Sequence, residues 1–186
     1  MKLTPCFASA LRAAALATTL CTSLPAFAEQ YQPGAEFRGY PSGEIISGSL
    51  GTALGNNYYG AASVAYNFAQ RGSNGRHDDE NGGGFGGGLT VDKYFRPGQV
   101  GWFLGGRAEL FFLNIDFRDP GRSGNSDIVV LQPTARGGYA FAFGEKRRYG
   151  VQLGLSVGAE INVHTRGEKV GDGAIVLGGI GFTYRP

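Results

Sequence analysis

Residues 149–163 read YGVQLGLSVGAEINV, and the stretch alternates at period two. Tyr149, Val151, Leu153, Leu155, Val157, Ala159, Ile161 and Val163 share one face with no polar break. The opposite face carries Gly150, Gln152, Gly154, Ser156, Gly158, Glu160 and Asn162. Such alternation predicts a β-strand, about 50 Å long at a rise of ~3.4 Å per residue. A tilted strand that crosses a bilayer needs only about 9–11 residues. A water-washed strand face is usually rich in Lys and Glu. Small residues with a single Glu suit a crowded polar interior instead, and the unbroken apolar face suits lipid.

The same period recurs along the chain. In residues 58–70, Tyr58, Gly60, Ala62, Val64, Tyr66 and Phe68 oppose Tyr59, Ala61, Ser63, Ala65, Asn67 and Ala69. Residues 84–95, 100–117, 128–143 and 174–184 are further predicted strands, and 44–54 alternates more loosely. Residues 36–40, or alternatively a stretch that starts nearer Tyr31, are read as a short first strand, because single-chain bacterial barrels use even strand numbers. Connections 55–57, 96–99 and 144–148 are short, whereas 71–83, 118–127 and 164–173 are longer and polar. Short periplasmic turns and longer extracellular loops mark outer-membrane barrels. Aromatics gather beside the short turns at Tyr58, Tyr59, Tyr94, Phe95, Trp102, Phe103, Phe141, Phe143, Tyr149, Phe182 and Tyr184. A smaller set, Tyr66, Phe68, Phe85, Phe111, Phe112 and Phe117, lies nearer the long loops. Two such belts anchor a barrel at both membrane interfaces. The expected fold is all-β, a closed antiparallel up-and-down transmembrane β-barrel of eight strands.

The first residues differ in kind. Lys2 and Arg12 precede or open an apolar run over residues 13–24, and Ala26-Phe27-Ala28 has the form of a cleavage site. This pattern predicts a cleaved secretory signal, residues 1–28, with residues 29–186 as the barrel domain. The apolar run is too short to span a bilayer as a helix. Cys21 raises a lipoprotein signal as a rival, but Leu20 stands where a lipobox requires a small residue. Both cysteines, Cys6 and Cys21, fall in this leader, so no disulfide framework is expected in the exported chain. Without Lys2 and Arg12 the 17 basic residues come level with the 15 acidic ones. That balance provides no global field for nucleic acid. No later run of about 18 apolar residues predicts a transmembrane helix.

The chain ends Gly179-Ile180-Gly181-Phe182-Thr183-Tyr184-Arg185-Pro186. Together with the strand pattern, this ending resembles the small eight-stranded outer-membrane β-barrels, typified by the OmpA membrane domain, OmpX and the opacity-type proteins. The resemblance implies that Gly179, Phe182 and Tyr184 form a C-terminal assembly signal, a Gly followed by two aromatics at alternate positions. Family members usually stop at that last aromatic, whereas this chain adds Arg185-Pro186. The implied location is the outer membrane of a Gram-negative bacterium. The implied partners are outer-membrane lipids, lipopolysaccharide and the barrel-assembly machinery, with the barrel a monomer.

Candidate chemistry is sparse. Arg107, Glu109, Arg136 and Glu160 all fall on the face turned from lipid. Burying an ion unpaired costs several kcal/mol, so two of each sign predict a paired interior charge network. An eight-stranded barrel holds little beyond its own side chains, which favours a plug over a gated pore. His77-Asp78-Asp79-Glu80 lacks the spaced ligands of a calcium loop and reads as a solvated, mobile segment. Ser156, Glu160 and His164 share a predicted face, but four residues of strand span about 13 Å, too far for one triad. The glycine runs 82–84 and 86–88 precede no helix and no Lys-Ser or Lys-Thr pair. They read as bends and small interior positions rather than a phosphate cradle. No catalytic, cofactor-binding or metal-ligating residue is assigned, and no cofactor is expected. The expected role is structural or surface-interacting, through extracellular loops. A narrow, low-conductance pore for ions or small polar solutes is the alternative, and a lipid A-modifying enzyme is the third reading.

Overall fold

The computed structural model describes residues 31–72, 76–171 and 173–186; the leader read from the sequence lies outside them. Eight strands follow in order: β1 Gln32–Tyr40, β2 Gly43–Gly55, β3 Tyr58–Gln70, β4 Asp79–Arg96, β5 Val100–Asp119, β6 Arg122–Phe143, β7 Tyr149–Arg166 and β8 Gly173–Tyr184. Each pairs antiparallel with the next. Strand β1 also pairs with β8, from Gly34 opposite Thr183 to Gly39 opposite Gly178, and this closes the ring. The expected fold is present, and its first strand is longer than residues 36–40.

Alternation decides where each side chain goes. On β5, Trp102, Leu104, Leu110 and Phe112 point outward, whereas Phe103, Arg107, Glu109, Phe111 and Leu113 are buried inside. On β7, Leu155 is 65% exposed on the outer face. Of the four inward glycines of β4, Gly82 and Gly84 lie against the Asn114 and Phe112 carbonyls of β5, and Gly86 and Gly88 make room for interior side chains. A side-chain carbon at Gly88 would sit 2.5 Å from Glu109 Cγ, and one at Gly86 would overlap the Phe111 ring. No helix among the described residues is long and apolar enough to cross a membrane.

Three readings of the sequence are corrected. Residues 118–127 are not a loop: β5 and β6 run on and meet at Pro120-Gly121, with Gly121 at a φ of 78°. Polar composition there marks strand standing beyond the apolar belt. Asn114 Nδ2 donates to Asp127 at 2.7 Å and Asn125 Nδ2 to Asp116 at 2.8 Å on the outer face, while Ile115, Phe117 and Ile128 turn inward. Likewise β4 begins at Asp79 and β7 ends at Arg166, which shortens both other long loops.

The aromatic belt is also thinner than the sequence suggests. Tyr59, Tyr94, Phe103, Phe111 and Phe117 are interior, because alternation turns every second position of a strand inward. Tyr58, Phe95, Trp102, Phe141, Phe143, Tyr149, Phe182 and Tyr184 remain outside at the end with the short turns.

Finally, β7 carries a bulge. Val129 pairs with His164 and Val130 with Asn162, so Val163 is an extra residue. An extra residue reverses the parity beyond it. His164 therefore lies on the outer face, exposed, while Ser156 and Glu160 face in. The face these three residues were expected to share does not exist.

Candidate functional site

The interior gathers most of the buried polar chemistry, and it is filled in layers. At the end bearing the short turns (the turn end), Tyr59, Tyr94, Phe103 and Ala140 pack together. Gln152 Nε2 donates to the Tyr94 hydroxyl in this layer. Toward the opposite, hairpin end, Phe111, Leu113, Ile115, Ile128, Leu177 and the loop residue Val170 form an apolar layer. Val170 is 0% exposed, so the β7–β8 loop turns inward into the mouth.

An ionic layer separates these two. Arg38 of β1 and Glu109 of β5 meet across the lumen in a two-point pair at 2.5 and 2.7 Å. They are 2% and 1% exposed. Gly179 makes room for this crossing, since a side-chain carbon there would sit 2.9 Å from Arg38 Cγ. Glu36 serves three cations: Arg107 Nη2 at 2.6 Å, Arg136 Nη2 at 3.4 Å and Arg38 Nε at 3.6 Å. Arg136 Nε also lies 3.6 Å from the buried Asp92, and its guanidinium stands over the Phe103 ring at 5.3 Å. Arg107 Nε donates to Thr90 Oγ1 at 2.9 Å. Arg38, Arg107 and Arg136 formally cancel Glu36, Asp92 and Glu109. The planar fork of arginine suits two-point pairing with carboxylates better than a lysine ammonium does.

A second cluster sits at the hairpin end. Arg71 reaches Glu160 at 3.0 Å and Glu80 at 3.3 Å. The buried Glu80 carboxylate also accepts the backbone N–H groups of Arg76, His77 and Gly171 at 2.7, 3.2 and 3.0 Å. It thereby ties the β3–β4 connection to the β7–β8 loop. His77 stacks on Phe117 at 4.2 Å, and its Nδ1 lies 2.8 Å from Asp119 Oδ2. The His77 hydrogen bond, with help from the Asp78 N–H, holds the partly exposed Asp119 carboxyl below the usual carboxylate range. Residues 77–80 are therefore anchored, contrary to the reading of a wholly solvated segment. Among the described residues no group of three or more His, Asp or Glu side chains is placed to hold a metal ion.

Arg107, Glu109, Arg136 and Glu160 all face the interior, but their ion pairs run to Glu36, Asp92, Arg38 and Arg71. Pairing only among those four was too narrow an expectation. Ring closure sets β1 against β5 across the lumen, a relation that sequence spacing does not record. One signal for it was visible: Glu36 and Arg38 stand two apart on a predicted strand and so share a face. Phe182 and Tyr184 point outward at the turn end, with the Tyr184 ring 5.6 Å from that of Tyr149.

Comparison with family models and with curated proteins yields no match. Among solved structures, the chain is similar to the N-terminal β-barrel domain of Pseudomonas aeruginosa OprF. The two are 19% identical, 84% of this chain and 98% of that chain are covered, and the TM-score is 0.50. It is similar also to Neisserial surface protein A, at 14% identity, with 84% and 96% covered and a TM-score of 0.52. Eight antiparallel strands in a closed ring, with these two likenesses, give the chain the fold of the small eight-stranded outer-membrane β-barrels.

Proposed function

We propose that the chain is an integral outer-membrane protein whose barrel is a closed scaffold and whose role is played at the cell surface by the hairpins it holds out. The filled interior is the observation that carries this reading. A path along the axis would have to pass the paired ions around Glu36 and then the apolar layer around Phe111 and Val170. Ions crossing an apolar layer lose hydration without gaining partners, which opposes conduction. The outer apolar face, bounded by aromatics at the turn end, suits a bilayer crossing. Beyond it stands the polar hairpin of β5 and β6. One structural neighbour is by name a surface protein, which accords with this role.

The proposal assigns no catalytic group, and the outward His164 removes the one triad that the sequence raised. It includes a monomer surrounded by lipid and lipopolysaccharide, inserted by the assembly machinery through Gly179, Phe182 and Tyr184. Both cysteines lie in the leader, so single introduced cysteines report position cleanly. A membrane-impermeant maleimide on intact cells is expected to label Ser123→Cys on the β5–β6 hairpin and to spare Lys146→Cys at the turn end. Labelling of both variants, or of Lys146→Cys alone, contradicts the proposed placement.

A further inference from the structure

The two ends of the barrel carry opposite charge. At the turn end the solvent-reaching cations are Lys93, Arg96, Lys146, Arg147, Arg148 and Arg185, opposed among the described residues by the Glu145 side chain alone. At the hairpin end acidic side chains outnumber basic ones among the described residues. Three of the turn-end cations come from one short connection between β6 and β7. Gly144, Lys146 and Arg147 there take φ values of 80°, 54° and 56°. That left-handed region is one where Gly or Asn costs less than a long side chain. Lys146, Arg147 and Arg148 are all exposed. The ion pairs among the described residues lie in the lumen and at the hairpin end and reach none of the three. Consecutive like charges repel, and an external anion would offset that repulsion.

The setting of the turn indicates which anion. Phe143 and Tyr149 flank it directly, their rings stacked at 5.7 Å, and both lie in the outer aromatic belt. Elsewhere on the same rim Lys93 Nζ stands 4.3 Å over the Tyr58 ring. Cations level with an aromatic belt stand where the headgroups of a bilayer lie. Arg185 is engaged by the Gly98 and Gln99 carbonyls at 2.9 and 3.1 Å, and Lys93 by the Asn56 carbonyl. Arg96 and the 146–148 turn are left to face a ligand.

We infer that the turn end is a docking surface for anionic phospholipid headgroups of the leaflet it faces, with Lys146, Arg147 and Arg148 as the principal contacts. This rests on the membrane reading given above. A soluble acidic partner requires no apolar anchor beside the cations, whereas a lipid phosphate stands next to hydrocarbon. Phosphate oxygens would accept from the three side chains while the acyl chains pack on Phe143 and Tyr149.

The test is the lipid selectivity of the folded protein in phosphatidylcholine bilayers. Electron spin resonance would compare spin-labelled phosphatidylglycerol with spin-labelled phosphatidylcholine. Relative association is expected to favour phosphatidylglycerol roughly fivefold, the size that one cation near a membrane surface supplies. It should fall toward unity in 1 M NaCl, where the Debye length is about 3 Å. The K146Q/R147Q/R148Q variant, checked for folding by heat-modified gel mobility, is expected to lose the preference. R118Q/K169Q at the hairpin end is expected to keep it. A flat ratio with both probes restricted by the protein overturns the docking surface and leaves the membrane reading intact. Restriction of neither probe overturns the membrane reading itself. A preference that survives in the triple variant overturns the assignment to this turn. A flat ratio with turn-dependent retention on polyglutamate overturns it in favour of a soluble acidic partner.

Discussion

Two layers of the interior, adjacent on the same strands, fill the lumen by opposite chemistry. On β5 the change falls between Glu109 and Phe111, consecutive inward positions. On the turn-end side of that boundary, Arg38, Arg107 and Arg136 are buried only because the buried Asp92 and Glu109 and the partly buried Glu36 pair with them. On the hairpin side, Phe111, Leu113 and Ile115 need volume and nothing else. Apolar burial contributes about 25 cal/mol per Å² whatever its neighbours. A buried ion pair roughly recovers its own desolvation, so its net contribution is small while the loss of one partner is costly. The difference therefore shows in how each layer fails. The ionic layer fixes which strands stand opposite each other; the apolar layer supplies stability and excludes water.

Substitutions at the two layers should diverge accordingly. The largest effect is expected from Glu36→Leu, which removes the carboxylate shared by Arg107, Arg136 and Arg38. A loss of about 5 kcal/mol is expected, the upper end for breaking a buried pair. Guanidinium unfolding in detergent micelles would measure it, and a loss under about 1 kcal/mol would mean that water already reaches these ions.

Phe111→Ala should cost about 3–5 kcal/mol through transfer and cavity terms. Its signature is that no second truncation restores stability. Here the layers separate most sharply. Glu109→Leu alone should destabilise by about 3 kcal/mol, but adding Arg38→Met should return the protein to within about 1 kcal/mol of the original. Additive losses in that double variant would place the pair in a hydrated lumen.

The smallest effect lies outside both layers. Hydrogen bonding from His77 depresses the folded-state Asp119 carboxyl. Its contribution is present above the unfolded-state value and is lost as pH falls through the folded-state one. The tie between the β3–β4 connection and the β5–β6 hairpin should therefore loosen in acid below about pH 4. Hydrogen exchange at the Asp78 N–H would report this as faster exchange, and Asp119→Asn should abolish the pH dependence.

The same contrast explains what was legible in the sequence. Period two is a local property, so the strands, their outward-facing positions and the inward direction of Arg107, Glu109, Arg136 and Glu160 could be read from residue order. Partners across a closed ring are not local. Arg38 meets Glu109 71 residues away, and only barrel closure brings them together. The bulge at Val163 was hidden because its residues suit either face. The tip of the β5–β6 hairpin is hidden for another reason: residues 118–127 carry no large apolar side chain, so no alternation marks them as strand. Beyond a membrane belt, polar residues on the outer face are what an extended strand requires.

The central claim is that these layers close the lumen, and recordings across a planar lipid bilayer address it most directly. The unmodified protein, inserted and folded, is expected to give no stepwise single-channel currents, and Arg136→Ala to lower the unfolding midpoint. Clear unitary currents from the unmodified protein, with altered selectivity and unaltered stability in Arg136→Ala, would contradict the account and make the barrel a pore.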